Sequence, residues 1–374
     1  MKRKQALQPL SLMDLPGQFK RIKKQAIPRM MNVLKSGRYI LGPEVELFEK
    51  EFAKFCHVKH CIGTGSGTES LILALRALNI GSGDEVITVP NTFTATAEAI
   101  ALVGARVVFC DIDPDTKNLD PDACSKRITK KTKAIIPVHL HGNPVDMDRL
   151  YEITRPRRIA VIEDAAQAHG ARYKGKVIGS LPSECASFSF HPVKNLGSFG
   201  DAGALVTNDD KLAATVRLMI NHGRTGHNRH ILIGTTGRMD ALQAAVLIAK
   251  LPYLSGWREK RERFVSYYKK RLPDHCKTIS LTPHSESAHH VFAILVPHRD
   301  TLAAFLEKNN VEVGMHYPIP LHLQKAYAYL GYRRGDFPHA EHYAAQTLSL
   351  PLYPHMKFRD IDRVATLIKA FYER

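Results

Sequence analysis

Between residues 60 and 210, short apolar runs alternate with helix-like segments, and this rhythm constrains the fold more than any other feature of the chain. The runs are Glu85–Val89, Arg106–Cys110, Ala134–Val138, Ile159–Ile162, Ala186–Phe190 and Ala204–Thr207. Each is short, rich in β-branched or aromatic side chains, and bounded by Gly, Pro, Asp or His, as strands are. Helix-like segments such as Ala95–Leu102 separate several of them. The alternation predicts an α/β fold with a largely parallel sheet flanked by helices. Ligands of such sheets gather at the carboxyl ends of the strands.

Flanking segments complete the expected architecture. Gly42-Pro43-Glu44 opens a helix through Phe55, because proline suits a first helical position and acidic residues suit a first turn. Arg238–Leu251 has a strong helical pattern ended by Pro252, and a charged helix follows from about Trp257 to Leu272. From about 275 the chain reads as smaller α+β structure: a strand at 291–296, a helix at 301–309 and a closing helix at 361–374. The expected division is a large domain over 1–255, with an N-terminal helical segment, and a small C-terminal domain over 256–374. A chain of 374 residues is long enough for both.

Composition narrows the function. No apolar run approaches the ~18 residues of a membrane span. The start, MKRKQALQPLSLMDLPGQFKR, is basic but has no continuous apolar stretch, so no secretory signal is expected. Six cysteines without a C-x-x-C pair point to free thiols in a reducing cytoplasm, and no metal-ligand spacing is present. The net charge of +17 suits nucleic acid, a membrane surface or a phosphorylated small molecule. The basic residues are spread along the chain without a single-sign tail, so charge alone leaves these open.

Four segments at strand ends or helix starts carry polar chemistry. GTGSGTESLILALRAL, from Gly63, runs from a glycine-rich turn into an amphipathic helix. Free N–H groups and the helix dipole converge there, which suits a phosphate. Thr68 takes the last position of G-x-G-x-x-G, G-x-x-x-x-G-K is absent, and Thr64 displaces the first glycine of G-x-S-x-G. Dinucleotide, P-loop and hydrolase readings therefore weaken. PNTFTATAEAI (90–100) brings Phe93 to a strand-to-helix junction, where it either stacks on a flat ring or fills the core. IAVIEDAAQAHGA (159–171) ends a strand at Asp164, which either pairs with a protonated ring nitrogen or caps a helix. FSFHPVKNLGSFGDAGALVTND (188–209) sets Lys194 on a turn between two apolar strands. It is either a solvated surface lysine or an amine tuned for chemistry with a carbonyl. In this chain order, phosphate cradle, stacking aromatic, ring-nitrogen carboxylate and Schiff-base lysine compose a pyridoxal 5′-phosphate site.

With these residues in hand, the chain resembles the DegT/DnrJ/EryC1/StrS family of nucleotide-sugar aminotransferases. The likeness spans nearly all of it, in GRYILGPEV (37–45), SGTESL (66–71), DEVITVPNTFTATAEAI (84–100), VIEDAAQAHGA (161–171), SFHPVKNLGSFGDAGALVTND (189–209), RMDALQAAVL (238–247) and MHYPIPLH (315–322). The resemblance implies a fold-type-I PLP-dependent transferase and a homodimer with shared active sites. Lys194 matches the lysine that forms the Schiff base and shuttles the proton. Asp164 matches the partner of the pyridine nitrogen, and Gln167 the residue near the ring hydroxyl. Gly67, Thr68 and Ser189 match the phosphate contacts, and Phe93 the stacking aromatic. Relatives with histidine in place of that lysine are dehydratases, so Lys194 favours transamination. Tyr39, Arg238, His316, Tyr317 and His322 either lie near the sugar or pack between the domains.

One position departs from the family pattern. Where G-x-N-x-R-M-D has an asparagine that reaches the partner's cofactor phosphate, this chain has Thr236, whose hydroxyl is shorter and offers one donor. The implied reaction moves an amino group from an L-amino acid, expected to be glutamate, to a nucleotide-diphosphate keto-sugar, with pyridoxamine phosphate as the intermediate form. Asn195-Leu196-Gly197 followed by Gly200-Asp201-Ala202-Gly203 favours C3, whereas His191-Pro192-Val193-Lys194 is similar to C4 enzymes. No nucleic-acid or membrane partner is expected. A ligand-sensing DNA-binding regulator would need a binding module, and the N-terminal 36 residues are too few for a helix-turn-helix domain.

Overall fold

The computed structural model describes residues 8–373; the basic start Met1–Leu7 and the last residue of the expected closing helix, Arg374, lie outside them. Two long helices come first, α1 (Leu15–Ser36) and α2 (Pro43–Cys56). Asp14 caps α1 by accepting the Gly17 N–H at 2.8 Å, and Gly37, at φ 65°, ends it in the left-handed conformation that glycine tolerates. Pro43 opens α2, as the sequence pattern indicates.

The main sheet has seven strands: β1 (His60–Thr64), β2 (Glu85–Thr88), β3 (Arg106–Phe109), β4 (Thr132–Ile135), β5 (Ala160–Asp164), β6 (Cys185–Ser189) and β7 (Gly203–Thr207). Their order is β1-β7-β6-β5-β4-β2-β3. The pairs β2/β3, β2/β4, β4/β5 and β5/β6 are parallel, whereas β7 runs against both β6 and β1. A parallel return needs a long crossover. The 190–202 connection contains no helix, so β7 comes back antiparallel, and Lys194 rides on this return. The strands are buried almost without alternation because both faces of the sheet are covered. Helices α3 (Gly67–Ala77), α4 (Ala95–Leu102) and α5 (Asp210–Met219) follow β1, β2 and β7.

The helix expected over Arg238–Leu251 is shorter: α6 covers Ala241–Lys250. Arg238 and Asp240 are held extended by bridges to Thr64 and Ile40, so the helix cannot begin before its N-cap, Asp240. After a short 3₁₀ turn at Pro252, α7 (Leu254–Arg271) leads into a three-stranded antiparallel sheet of β8 (Lys277–Thr278), β9 (Phe292–Leu295) and β10 (Thr347–Leu350). Phe264 and Tyr268 of α7, Leu302 and Leu306 of α8 (Arg299–Lys308), and Ile361, Val364 and Ile368 of α9 (Phe358–Tyr372) pack on that sheet as a second core. Leu10 joins this second core, bridging to Val311. All six cysteines are free and buried. Among the described residues no helix is long and apolar enough to cross a membrane, and no group of three His, Cys, Asp or Glu could hold a metal.

Candidate active site

Neighbouring strands bring the site together. Asp164 ends β5 and Ser189 ends β6, and the parallel register sets Asp164 opposite Ser187. The carboxyl ends of both strands therefore open on one cleft of about 360 Å³. Gly67, Thr68, Phe93, Asp164, Gln167, Ser189, Lys194, His316 and Tyr317 all line it. A larger and more open groove, lined by Tyr151, Arg155 and Lys174, contains none of the residues singled out from sequence.

At one end the cleft is a cradle of backbone. The Ser66 hydroxyl caps α3 by accepting the Glu69 N–H at 3.1 Å. The N–H groups of Gly67 and Thr68 begin the helix and have no carbonyl of their own helix to meet. A Cβ on Gly67 would lie 2.8 Å from the Ser189 Cβ, and one on Gly203 would lie 2.3 Å from the Ser66 carbonyl carbon. Only glycine at both positions permits this approach, which leaves the helix N-terminus open beside the Ser189 hydroxyl. This donor set fits a phosphate group.

Asp164 is fixed from two sides. Its Oδ2 accepts from Thr96 Oγ1 at 2.7 Å and its Oδ1 from the Ala166 N–H at 3.2 Å. A carboxylate has further lone pairs, so it can still accept from a protonated ring nitrogen. Gln167 is oriented by the His141 N–H, which donates to its Oε1 at 2.7 Å, and its Nε2 donates to the Tyr317 hydroxyl at 3.3 Å. Phe93, 55% exposed, stands with its ring centroid 5.9 Å from that of Tyr317.

Lys194 lines the cleft, half-buried, and among the described residues no group accepts a hydrogen bond from its Nζ. Burial pushes its ammonium down to about 8, opposed by the charge of Asp164. The imidazoles around it are uncharged at neutral pH: burial, then the Lys194 charge, lowers His316 to about 4 and His169 to about 3, and the same two causes hold His290 well below its ordinary value. An amine poised near neutrality between a fixed carboxylate and an anion cradle can condense with a carbonyl and carry a proton.

Three of the residues read either as near the sugar or as packing between the domains are not among those lining this cleft. The Tyr39 hydroxyl faces the Leu34 carbonyl at 3.4 Å, Arg238 Nη1 donates to Asn221 Oδ1 at 2.8 Å, and buried His322 pairs with Glu341 at 3.0 Å. Thr236 also lies elsewhere, with Oγ1 3.1 Å from His222 Nε2. Conversely, Thr92, Thr96 and His290 line the cleft without having been singled out, and so does Asp201, named only within the motif read for regiochemistry. The spacing of Thr92 and Thr96, one helical turn apart in PNTFTATAEAI, was the available signal for the first two.

Comparison with known proteins accords with this geometry. Residues 20–369 match the model of the DegT/DnrJ/EryC1/StrS aminotransferase family, and the chain belongs to that family. It is 41% identical to the dTDP-3-amino-3,4,6-trideoxy-alpha-D-glucose transaminase of Streptomyces venezuelae, over 97% of this chain and 96% of that one. The structure of S. venezuelae DesV in complex with a ketimine intermediate superposes with a TM-score of 0.96 at 40% identity, covering 98% of this chain and all of that one. NtdA from Bacillus subtilis, solved with bound cofactor PMP, gives 0.91 at 30% identity, covering all of this chain and 87% of that one. The large mixed α/β layer with its smaller C-terminal α+β region is accordingly that of a fold-type-I aminotransferase.

Proposed function

We propose that this chain is a pyridoxal-phosphate-dependent transaminase that moves an amino group from an L-amino acid, glutamate, to C3 of a nucleotide-diphosphate keto-sugar. The observation that carries this reading is Lys194: a half-buried amine without a hydrogen-bond acceptor among the described residues, lining one cleft with a fixed Asp164 and a helix N-terminus open to phosphate. Gly67, Thr68 and Ser189 would hold the cofactor phosphate, Asp164 its ring nitrogen, and Phe93 one ring face. When bound, the cofactor supplies an aldehyde and an electron-poor ring that stabilises negative charge next to the reacting carbon. Lys194 Nζ would take the proton from the donor Cα as base and hold it for return as acid. Asp164, oriented by Thr96 on one oxygen and Ala166 on the other, would use a remaining lone pair to accept from a positive ring nitrogen.

Asn195-Leu196-Gly197 and Gly200-Asp201-Ala202-Gly203 support amination at C3, as does likeness to a 3-amino-sugar transaminase. Exposed Ile27, Met31, Leu34 and Ile40 along α1 and its exit give a homodimer an apolar face to bury. Incubation of the loaded protein with glutamate and a panel of nucleotide-diphosphate 3-keto and 4-keto sugars, read by NMR of the product, tests the proposal. A new C3 amine is expected; a C4 amine would move the regiochemistry, and no amino sugar from any member would overturn the reading.

A further inference from the structure

A second buried lysine grips the turn that carries Lys194. Lys250, the last residue of α6, is 1% exposed, and among the described residues no carboxylate pairs with it. Its Nζ donates to the Gly197 carbonyl and stands 4.8 Å from the centroid of the Phe199 ring. Burying an ammonium against one carbonyl and one aromatic face costs free energy that a methionine of similar length would not incur. Packing therefore does not account for lysine at this position; a hydrogen bond that only a donor can make does.

The same face of α6 holds the turn a second time. Gln243, roughly two helical turns earlier, accepts the Phe199 N–H at 3.0 Å through Oε1. Its side chain also closes on Gly200, where a Cβ would lie 2.9 Å from Nε2. Ser198 ties the turn back to Phe190, the residue after β6: its N–H donates to the Phe190 carbonyl at 2.7 Å, and its hydroxyl sits within hydrogen-bond reach of the Phe190 and Gly200 carbonyls. Gly197 backs directly onto Pro192, where a Cβ would fall 2.3 Å from the carbonyl oxygen. Pro192 through Phe199 thus forms one tight unit, clamped by α6 at Gly197 and Phe199, with Lys194 projecting from its other side into the cleft.

The geometry points to Lys250 as a positioning residue for Lys194: its ammonium fixes the Gly197 carbonyl and so sets the direction from which Lys194 enters the cleft. This rests on the reading of Lys194 as the reacting amine. Lys250 does not line the cleft and touches no reacting atom. Burial pushes its ammonium down to about 8, which fits a charge retained at a cost.

The test follows the reaction of the apoprotein with pyridoxal phosphate by the visible band that depends on Lys194, across pH, in wild type, Lys250→Met, Lys250→Arg and Gln243→Met, with thermal melts alongside. Lys250→Met should melt no lower than wild type, yet form the band about tenfold more slowly or worse, with a shifted pH midpoint. Lys250→Arg, which keeps an N–H for Gly197, should recover part of the rate, and Gln243→Met, which loosens the turn at Phe199, should slow it. A wild-type rate and midpoint in Lys250→Met and Gln243→Met overturn the positioning role alone, as does a loss of rate that only tracks a fall in melting temperature. If wild type forms no Lys194-dependent band, both this role and the proposed function fall.

Discussion

Thr96 Oγ1 donates a hydrogen bond to Asp164 Oδ2 at 2.7 Å, joining the start of α4 to the carboxyl end of β5. Because that proton is committed, Thr92 Oγ1, 3.1 Å away, is the donor to Thr96. A short relay of hydroxyls thus points one proton at the carboxylate and fixes its orientation. Asp164→Asn should lower kcat by roughly 10²–10³-fold with the fold intact, the usual loss on removing one preorganised electrostatic group. Thr96→Val should cost roughly 10- to 100-fold, since a hydrogen bond to a charged group is worth ~1.5–3 kcal/mol. Steady-state kinetics with parallel melts check both, and Thr96→Ser should stay near wild type.

The reaction of Lys194 needs its neutral amine. Burial holds this group down to about 8, and the Asp164 charge opposes that shift. The rate of reaction with added pyridoxal phosphate should therefore rise with pH, pass its midpoint near 8 and level off above. Asp164→Asn removes the opposing charge and should move the midpoint lower. His316, held at about 4, stays neutral throughout the neutral range and should add no inflection there. Stopped-flow absorbance across pH separates these groups.

Lys250 also leaves a mark on stability. Its folded value, about 8, lies below that of an unfolded lysine, ~10.4. The unfolded chain therefore binds more protons between the two, so this group's contribution is complete above the unfolded value and lost as pH falls through about 8. Relative to Lys250→Met, wild type should gain melting temperature as pH is raised from neutrality toward 10. Comparing the two proteins cancels the cysteines and tyrosines that titrate in the same range. A difference that does not change with pH would contradict the buried charge.

Gly67→Ala tests the phosphate cradle. The added methyl would meet the Ser189 Cβ at 2.8 Å, so α3 and β6 must separate. Cofactor affinity should fall on the order of tenfold or more, in line with an overpacking strain of ~1–3 kcal/mol. Titration of apoprotein by absorbance measures it, and unchanged affinity would remove Gly67 from the site.

Much of the site was legible because it sits at boundaries that are written locally. Asp164 and Lys194 follow continuous apolar strands, and the glycine turn precedes a capped helix, so each could be placed before any strand order was known. Thr96, His290 and Lys250 were not legible in this way. Thr96 lies within an alanine-rich helical segment, and its partner is assigned only when the sheet sets β2 and β5 on either side of β4. Lys250 reads from sequence as a surface lysine in a last helical turn, where the dipole favours it. Its burial comes from the packing of α1 and Phe199 over α6, which no local pattern records. The early helix start at Arg238 failed for the same reason: periodicity cannot see the bridge to Thr64. Tyr39, Arg238 and His322 were read from family segments as either near the sugar or packing between the domains, and in this chain their side chains meet Leu34, Asn221 and Glu341.

The most direct measurement is to load the full-length protein with pyridoxal phosphate, reduce it with sodium borohydride and map the modified peptide by mass spectrometry. A pyridoxyl group confined to Lys194, and absent when glutamate is added before reduction, is the predicted result. Label on Lys250 or on scattered surface lysines, or no label, would contradict the placement of Lys194 at the centre of the chemistry.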